Sequence, residues 1–211
     1  DGSLTAHHSY TWGWGGISYA NQALNVTVTA VEYLPSDGSL VVAGVTRSLQ
    51  SPGPAWVIKL DANGAFAWQK MFSHPVTVLD IQPNVAGIVL AGFMSQTKQP
   101  WLGALNLAGG WIWQNSFDND IAGNRAAVIQ DVSVQDNGQI IAVGNAYCSD
   151  EEPDCALLLK LNTSGTIPGC GSWIPTAIQL ASYKSAPFVT QISETGVKET
   201  KYNGIAAVSV L

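Results

Sequence analysis

Residues 56–70 read Trp56-Val57-Ile58-Lys59-Leu60-Asp61-Ala62-Asn63-Gly64-Ala65-Phe66-Ala67-Trp68-Gln69-Lys70. The first five form an apolar, partly β-branched run of strand character, and Asp61 to Gly64 are residue types that favour a tight turn. A second strand follows and ends near Trp68. Degraded copies of this stretch recur downstream. Trp101 to Asn106 repeats Trp56 to Asp61, Ala108-Gly109-Gly110 repeats the turn, and Trp113 falls where Trp68 falls. In a third copy, Ala156 to Asn162 is the strand and Ser164-Gly165 the turn. A last strand follows from Ile167 to Trp173, broken by Pro168 and Gly169.

Two more strands precede each copy. Residues 26–34 alternate with a period of two, Ser36-Asp37-Gly38 suits a hairpin turn, and Leu40 to Val45 reads as a buried strand. Val76 to Ile81 with Ile88 to Gly92, and Ala127 to Val134 with Ile140 to Gly144, repeat that arrangement. Gly44, Gly92 and Gly144 lie 48 and 52 residues apart. A four-strand unit recurring at about 40–50 residues marks a propeller blade. The expected fold is therefore all-β, a β-propeller of four-stranded antiparallel blades, with blades at about 27–72, 74–117 and 125–176. Residues 183–211 supply three further strands. Aligning Asp1-Gly2 on Asn63-Gly64 starts the chain inside a repeat, so the strand at 3–12 is expected to complete a fourth blade and remove an exposed edge. The alternatives are a piece of a larger propeller, or an N-terminal strand donated to a neighbouring subunit, which would build a filament.

The 211 residues suffice for one domain with a sizeable core. The chain is 46% hydrophobic but only 11% charged, against about 25% in an average soluble domain. Its surface must therefore rest on Ser, Thr, Asn, Gln and Gly, which suits a secreted or cell-surface β-protein. The net charge is −6 and the nine Lys and Arg are scattered, so there is no basic stripe for nucleic acid. No apolar run approaches the roughly 18 residues of a membrane span. A chain opening Asp1-Gly2-Ser3 without Met is expected to be a mature or trimmed product.

Of three cysteines, Cys148 and Cys155 bracket a short acidic loop and are expected to form a disulfide, with Cys170 a buried thiol. Asn25-Val26-Thr27 and Asn162-Thr163-Ser164 are glycosylation candidates at Asn25 and Asn162. Both features fit an oxidising compartment.

The repeats resemble the secreted or surface propeller repeats of bacteria and archaea written roughly GGYIVAGxT…WLIKLDxNGxxxWQK. Gly38 to Thr46 and Trp56 to Lys70 carry the resemblance, and Asn162 to Cys170 resembles the LDSSGNIPGC ending of some members. It covers about residues 27–173. It implies the repeat type and brings no shared catalytic residues. The Lys-Leu-Asp-x-x-Gly-x-x-x-Trp element also resembles the tryptophan-docking repeats of quinoprotein dehydrogenases. Their larger propellers hold a quinone and calcium, and this chain is too short for the cofactor to be expected.

Trp56, Trp68, Trp101 and Trp113 hold repeat-equivalent positions and are expected to pack between blades. Trp12, Trp14, Trp111 and Trp173 are off-register and are the candidates for stacking on a sugar ring. Asp61, with Asn106 and Asn162 in its place, is expected to serve the turn by bonding its own backbone two residues on. Asp118, Asp120 and Asn124 form an oxygen-rich loop that could take calcium, and Asp150, Glu151, Glu152 and Asp154 form a second acidic loop. Neither has EF-hand spacing, so no cofactor is assigned beyond that calcium option. His7, His8 and His74 lie in no catalytic motif, and no Gly-x-Ser-x-Gly elbow, HExxH or P-loop occurs. No carboxylate pair singles itself out. The expected function is a non-enzymatic extracellular structural or adhesive module that meets other proteins, copies of itself included. A carbohydrate-binding propeller using the exposed tryptophans is the alternative.

Overall fold

A computed structural model describes residues 7–11, 25–47, 52–74, 76–117, 126–146, 155–167, 173–175, 180–181, 188–192, 201–202 and 205–206. These residues contain strands and turns and no helix. The chain divides into two compact units, Gln22–Ser182 and a unit made of Asp1–Asn21 with Tyr183–Leu211.

In the larger unit, β2 (Asn25–Leu34), β3 (Ser39–Arg47), β4 (Pro52–Leu60) and β5 (Phe66–Phe72) form an antiparallel meander. β6 (Val76–Asn84), β7 (Gly87–Met94), β8 (Pro100–Asn106) and β9 (Trp111–Phe117) form a second. β10 (Ala127–Val134), β11 (Ile140–Ala146) and β12 (Cys155–Leu161) form a three-stranded third. Of the fourth strand expected at 167–173, residues 168–172 lie outside the described residues. β13 (Trp173–Pro175) pairs with β9 and so extends the second sheet, and β14 (Leu180–Ala181) extends the first along β5. Pro175 is tolerated on β13 because that strand is an edge.

The three sheets pack face to face through two apolar layers. Leu34, Val41 and Val57 of the first sheet meet Val76, Ile88 and Leu90 of the second. Val89, Leu102 and Phe117 on the second sheet's opposite face meet Ile129, Ile140 and Leu159 of the third. Each such side chain contributes about 1.5–3 kcal/mol by leaving water. Because the second sheet is covered on both faces, β7 and β8 are apolar at almost every position, as for any strand without a wet side.

A bulge recurs in the first strand of every sheet. The register shifts between Val28 and Ala30, between Val78 and Asp80, and between Ile129 and Asp131. The residue paired with the start of each bulge is Gly44, Gly92 or Gly144. A Cβ there would overlap the carbonyl oxygen of Thr27, Thr77 or Val128 respectively. The repeat glycines thus exist because the bulge pushes a carbonyl into the space a side chain would need.

In the smaller unit, β1 (His7–Thr11) pairs antiparallel with β15 (Phe188–Ile192), with Tyr10 opposite Val189. β16 (Lys201–Tyr202) pairs with β17 (Ile205–Ala206) around Asn203-Gly204. Three C-terminal strands joined to the N-terminal one were expected. Among the described residues these four strands make two separate ladders.

Replacing Gly92 by Ala is expected to destabilise the protein by roughly 2–3 kcal/mol, measured by urea denaturation. Ala at Gly110, where a Cβ would meet the Asn106 side-chain amide and not a backbone carbonyl, is expected to cost clearly less.

Candidate functional site

The turns that follow the third strand of each sheet are built alike. Asp61 Oδ1 accepts from the N–H of Asn63 at 2.9 Å and of Ala65 at 2.8 Å. Asn106 Oδ1 accepts from Ala108 and Gly110 at 3.0 and 2.9 Å. Asn162 Oδ1 accepts from Ser164 and Thr166, both at 3.0 Å, and from Ser164 Oγ. Gly64, Gly109 and Gly165 adopt φ of 76°, 77° and 72°, the left-handed region that glycine enters without penalty. Asp61 and its counterparts are turn residues, as the sequence indicates. For Asn162 the glycosylation candidate and the turn acceptor are the same side chain.

The second and third of these turns also receive a tryptophan from the sheet before. Trp68 Nε1 donates to the Leu107 carbonyl at 2.9 Å, and Trp113 Nε1 donates to the Thr163 carbonyl at 3.2 Å. A Cβ on Gly109 would press on the Trp68 ring, and one on Gly165 would overlap the Trp113 ring. Two residues on from Trp113, the buried Asn115 gives its Nδ2 to the Gly165 carbonyl at 2.7 Å. The turn glycine therefore has two uses, its φ and its bare surface.

Trp111, a sugar-stacking candidate, is half-buried against the core between the first two sheets. Its ring stands at 67° to Phe72 and 78° to the fully buried Trp101, with centroids 5.5 and 6.0 Å apart. These are edge-to-face contacts of the favourable kind. Trp173 is placed by its backbone opposite Phe117. Trp12, Trp14, Asp118, Asp120, Asn124, Cys148, Cys170 and the second acidic loop lie outside the described residues. Asn25 and Cys155 are described as backbone in β2 and β12. His7 and His8 are adjacent on β1. His74 is exposed, and its Nδ1 lies 3.0 Å from Ser73 Oγ. Among the described residues no cluster of three metal-ligating side chains occurs, and no helix is long and apolar enough to cross a membrane.

Two polar pairs escaped the sequence reading. Lys59, only 7% exposed, lies 2.6 Å from Asp37 Oδ2 at the tip of the first sheet. That ammonium, then the Ser39 hydroxyl, hold the Asp37 carboxyl down at about 2. The second pair is Asp80 with the Val132 backbone; Asp80 and Asp131 are each the residue that resumes pairing after a bulge. Asp80 Oδ2 accepts from Val132 N–H at 2.9 Å, linking the first strands of the second and third sheets. The signal available in the sequence was alignment of the first strands, which superposes Ala30, Asp80 and Asp131. Between the tips of these sheets runs a shallow groove of about 330 Å³ lined by Asn84, Val85, Gln135 and Asp136. Val85 there is 95% exposed.

These features define an antiparallel all-β protein whose sheets are latched by tryptophan-to-turn contacts. No protein-family model matches the sequence, and no curated protein matches it.

Trp113→Phe keeps most of the buried ring but loses the bond to Thr163, and is expected to cost about 1 kcal/mol. Trp113→Ala also leaves a cavity over Gly165 and is expected to cost roughly 3–5 kcal/mol; urea denaturation separates the two. Asp37 is depressed in the folded state, so its contribution is present above the ordinary carboxylate range and lost as pH falls toward 2. Its side chain is 37% exposed, which limits the effect to about 1 kcal/mol or less. Lys59→Met should flatten stability between pH 4 and 2 by that amount, read from denaturation midpoints.

Proposed function

We propose that this chain is an extracellular or cell-surface interaction module, a β-propeller whose three latched sheets are followed by a fourth closed by the N-terminal strand. The observation that carries the interaction reading is an exposed apolar strip on the first sheet. Val31 and Tyr33, two apart on β2, are 62% and 53% exposed, and Leu40, the partner of Tyr33 across the hairpin, is also exposed. Apolar side chains gathered on one strand pair in water suit a protein partner.

Other features support the same reading. Of the tryptophans that look functional in sequence, Trp111 is occupied with packing between the first two sheets. The low charge of the surface fits a secreted protein. The pairing of β1 with β15 of the same chain favours a closed terminus over a donated strand. The resemblance to secreted bacterial and archaeal propeller repeats belongs to this proposal, as does the Cys148–Cys155 disulfide. The partner is another protein, and a second copy of the chain is the simplest case to test.

Light scattering across a concentration series is expected to show reversible association that Val31→Ser with Tyr33→Ser weakens at least tenfold. A monodisperse monomer at every concentration, together with specific retention on a glycan array, would replace this reading by the carbohydrate-binding one.

A further inference from the structure

We propose that Asn162 is an N-glycan acceptor, held in the third turn in a way that leaves its nitrogen free for the sugar. The inference rests on the extracellular reading above, because sugars of this kind sit on the surface of exported proteins. The chain contains two Asn-x-Ser/Thr sequences, at Asn25 and Asn162. Asn25 opens β2, and its backbone pairs with that of Arg47. Asn162 opens a turn in which Thr163 and Ser164 are exposed, and a surface turn or loop is where such acceptors occur.

A side-chain amide has two ends, an oxygen that accepts hydrogen bonds and a nitrogen that donates them. The third turn uses only the oxygen. Asn162 Oδ1 accepts from the N–H groups of Ser164 and Thr166 and from Ser164 Oγ, each at 3.0 Å. Asn162 Nδ2 has no hydrogen-bond partner among the described residues, and it is not buried. The first turn shows that the nitrogen is dispensable. Asp61 has none, and its Oδ1 collects the N–H groups of Asn63 and Ala65 in the same way. The second turn has the amide of Asn106 but carries Ala108 where the third carries Ser164. Only the third turn therefore combines the amide with the hydroxyl that the acceptor sequence requires. The contacts from the second sheet also spare the nitrogen, since Trp113 bonds the Thr163 carbonyl and Asn115 the Gly165 carbonyl.

The sugar donor is a lipid-linked oligosaccharide. Transfer forms a bond from Nδ2 to the anomeric carbon and breaks that carbon's bond to the pyrophosphate oxygen. The lipid pyrophosphate leaves, one amide proton passes to solvent, and the other stays on Nδ2. The product is still an amide, so Oδ1 keeps all three of its bonds. A glycan here adds a bulky hydrated group to a chain of which only 11% is charged.

The full chain, secreted from a eukaryotic host that transfers N-glycans, tests this by peptide mass. Asn162 is expected to carry a glycan on most molecules, and peptide-N-glycosidase should release it and leave Asp at that position. Ser164→Ala and Asn162→Asp should both lose the glycan, while Asn162→Asp keeps the turn, as Asp61 does in the first sheet. The glycosylated protein should unfold in urea at a midpoint no lower than the enzyme-treated one. An unmodified Asn162 in the secreted wild type overturns the proposal, as does a glycan confined to Asn25. A glycosylated chain less stable than the treated one shows that the nitrogen is not free, and overturns it too. If Ser164→Ala is not secreted, occupancy of the wild type decides. The host supplies the compartment, so an empty Asn162 strikes this site alone. Export by the chain's own cell is read separately, by fractionating that cell.

Discussion

An indole N–H given to the backbone of the neighbouring sheet is the contact that sets this structure. Burial of apolar area holds the sheets together but has no direction, and two flat apolar faces could slide by a residue without losing much of it. The bond from Trp68 to Leu107, and that from Trp113 to Thr163, allow one alignment each. They need a turn whose tip is bare and whose carbonyl faces outward. Gly109 and Gly165 provide the bare tip, and Asn106 and Asn162 hold the turn in shape by collecting its N–H groups. The Asp/Asn-x-x-Gly-x-x-x-Trp spacing thus records two demands, a turn made within one sheet and a lock received from the sheet before.

A second constraint acts at the opposite end of each meander, where the first strands lie. The bulge in β2, β6 and β10 drives a carbonyl toward the second strand, and Gly44, Gly92 and Gly144 leave room for it. It also shifts which residue resumes pairing, and that residue is Ala30 in the first repeat and an aspartate in the other two. An apolar residue suits the half-buried position in the first repeat. Asp80 uses that place to accept the Val132 N–H and so ties the second sheet to the third.

Much of the architecture was legible in the chain. Period-two alternation in residues 26–34, turn residues at Asp61 and Asn106, and glycines recurring at 44, 92 and 144 are local signals, and each is matched by a strand, a turn or a bulge. The candidate site was legible in part. Asp61, Asn106 and Asn162 were readable as turn residues, since the N–H groups that donate to them lie two and four residues away. Trp111 was not readable as a core residue, because its off-register position concealed Phe72 and Trp101 as its neighbours. Asp80 was not readable as the partner of Val132, because 52 positions separate them in a chain where no motif joins them.

By itself the sequence determined the all-β character, the strand-turn-strand units and the repeat, because hydrophobic period, β-branching and turn chemistry act over a few residues. Only the tertiary structure decided which edge each strand takes. Trp173–Pro175 follows the third repeat in the chain but pairs with β9 of the second sheet, where an open edge takes up its backbone hydrogen bonds. Only the tertiary structure brought an aspartate to a backbone N–H of the next sheet and a tryptophan to a turn in the next repeat. Such contacts depend on how whole sheets stack, and no short window of sequence contains both partners.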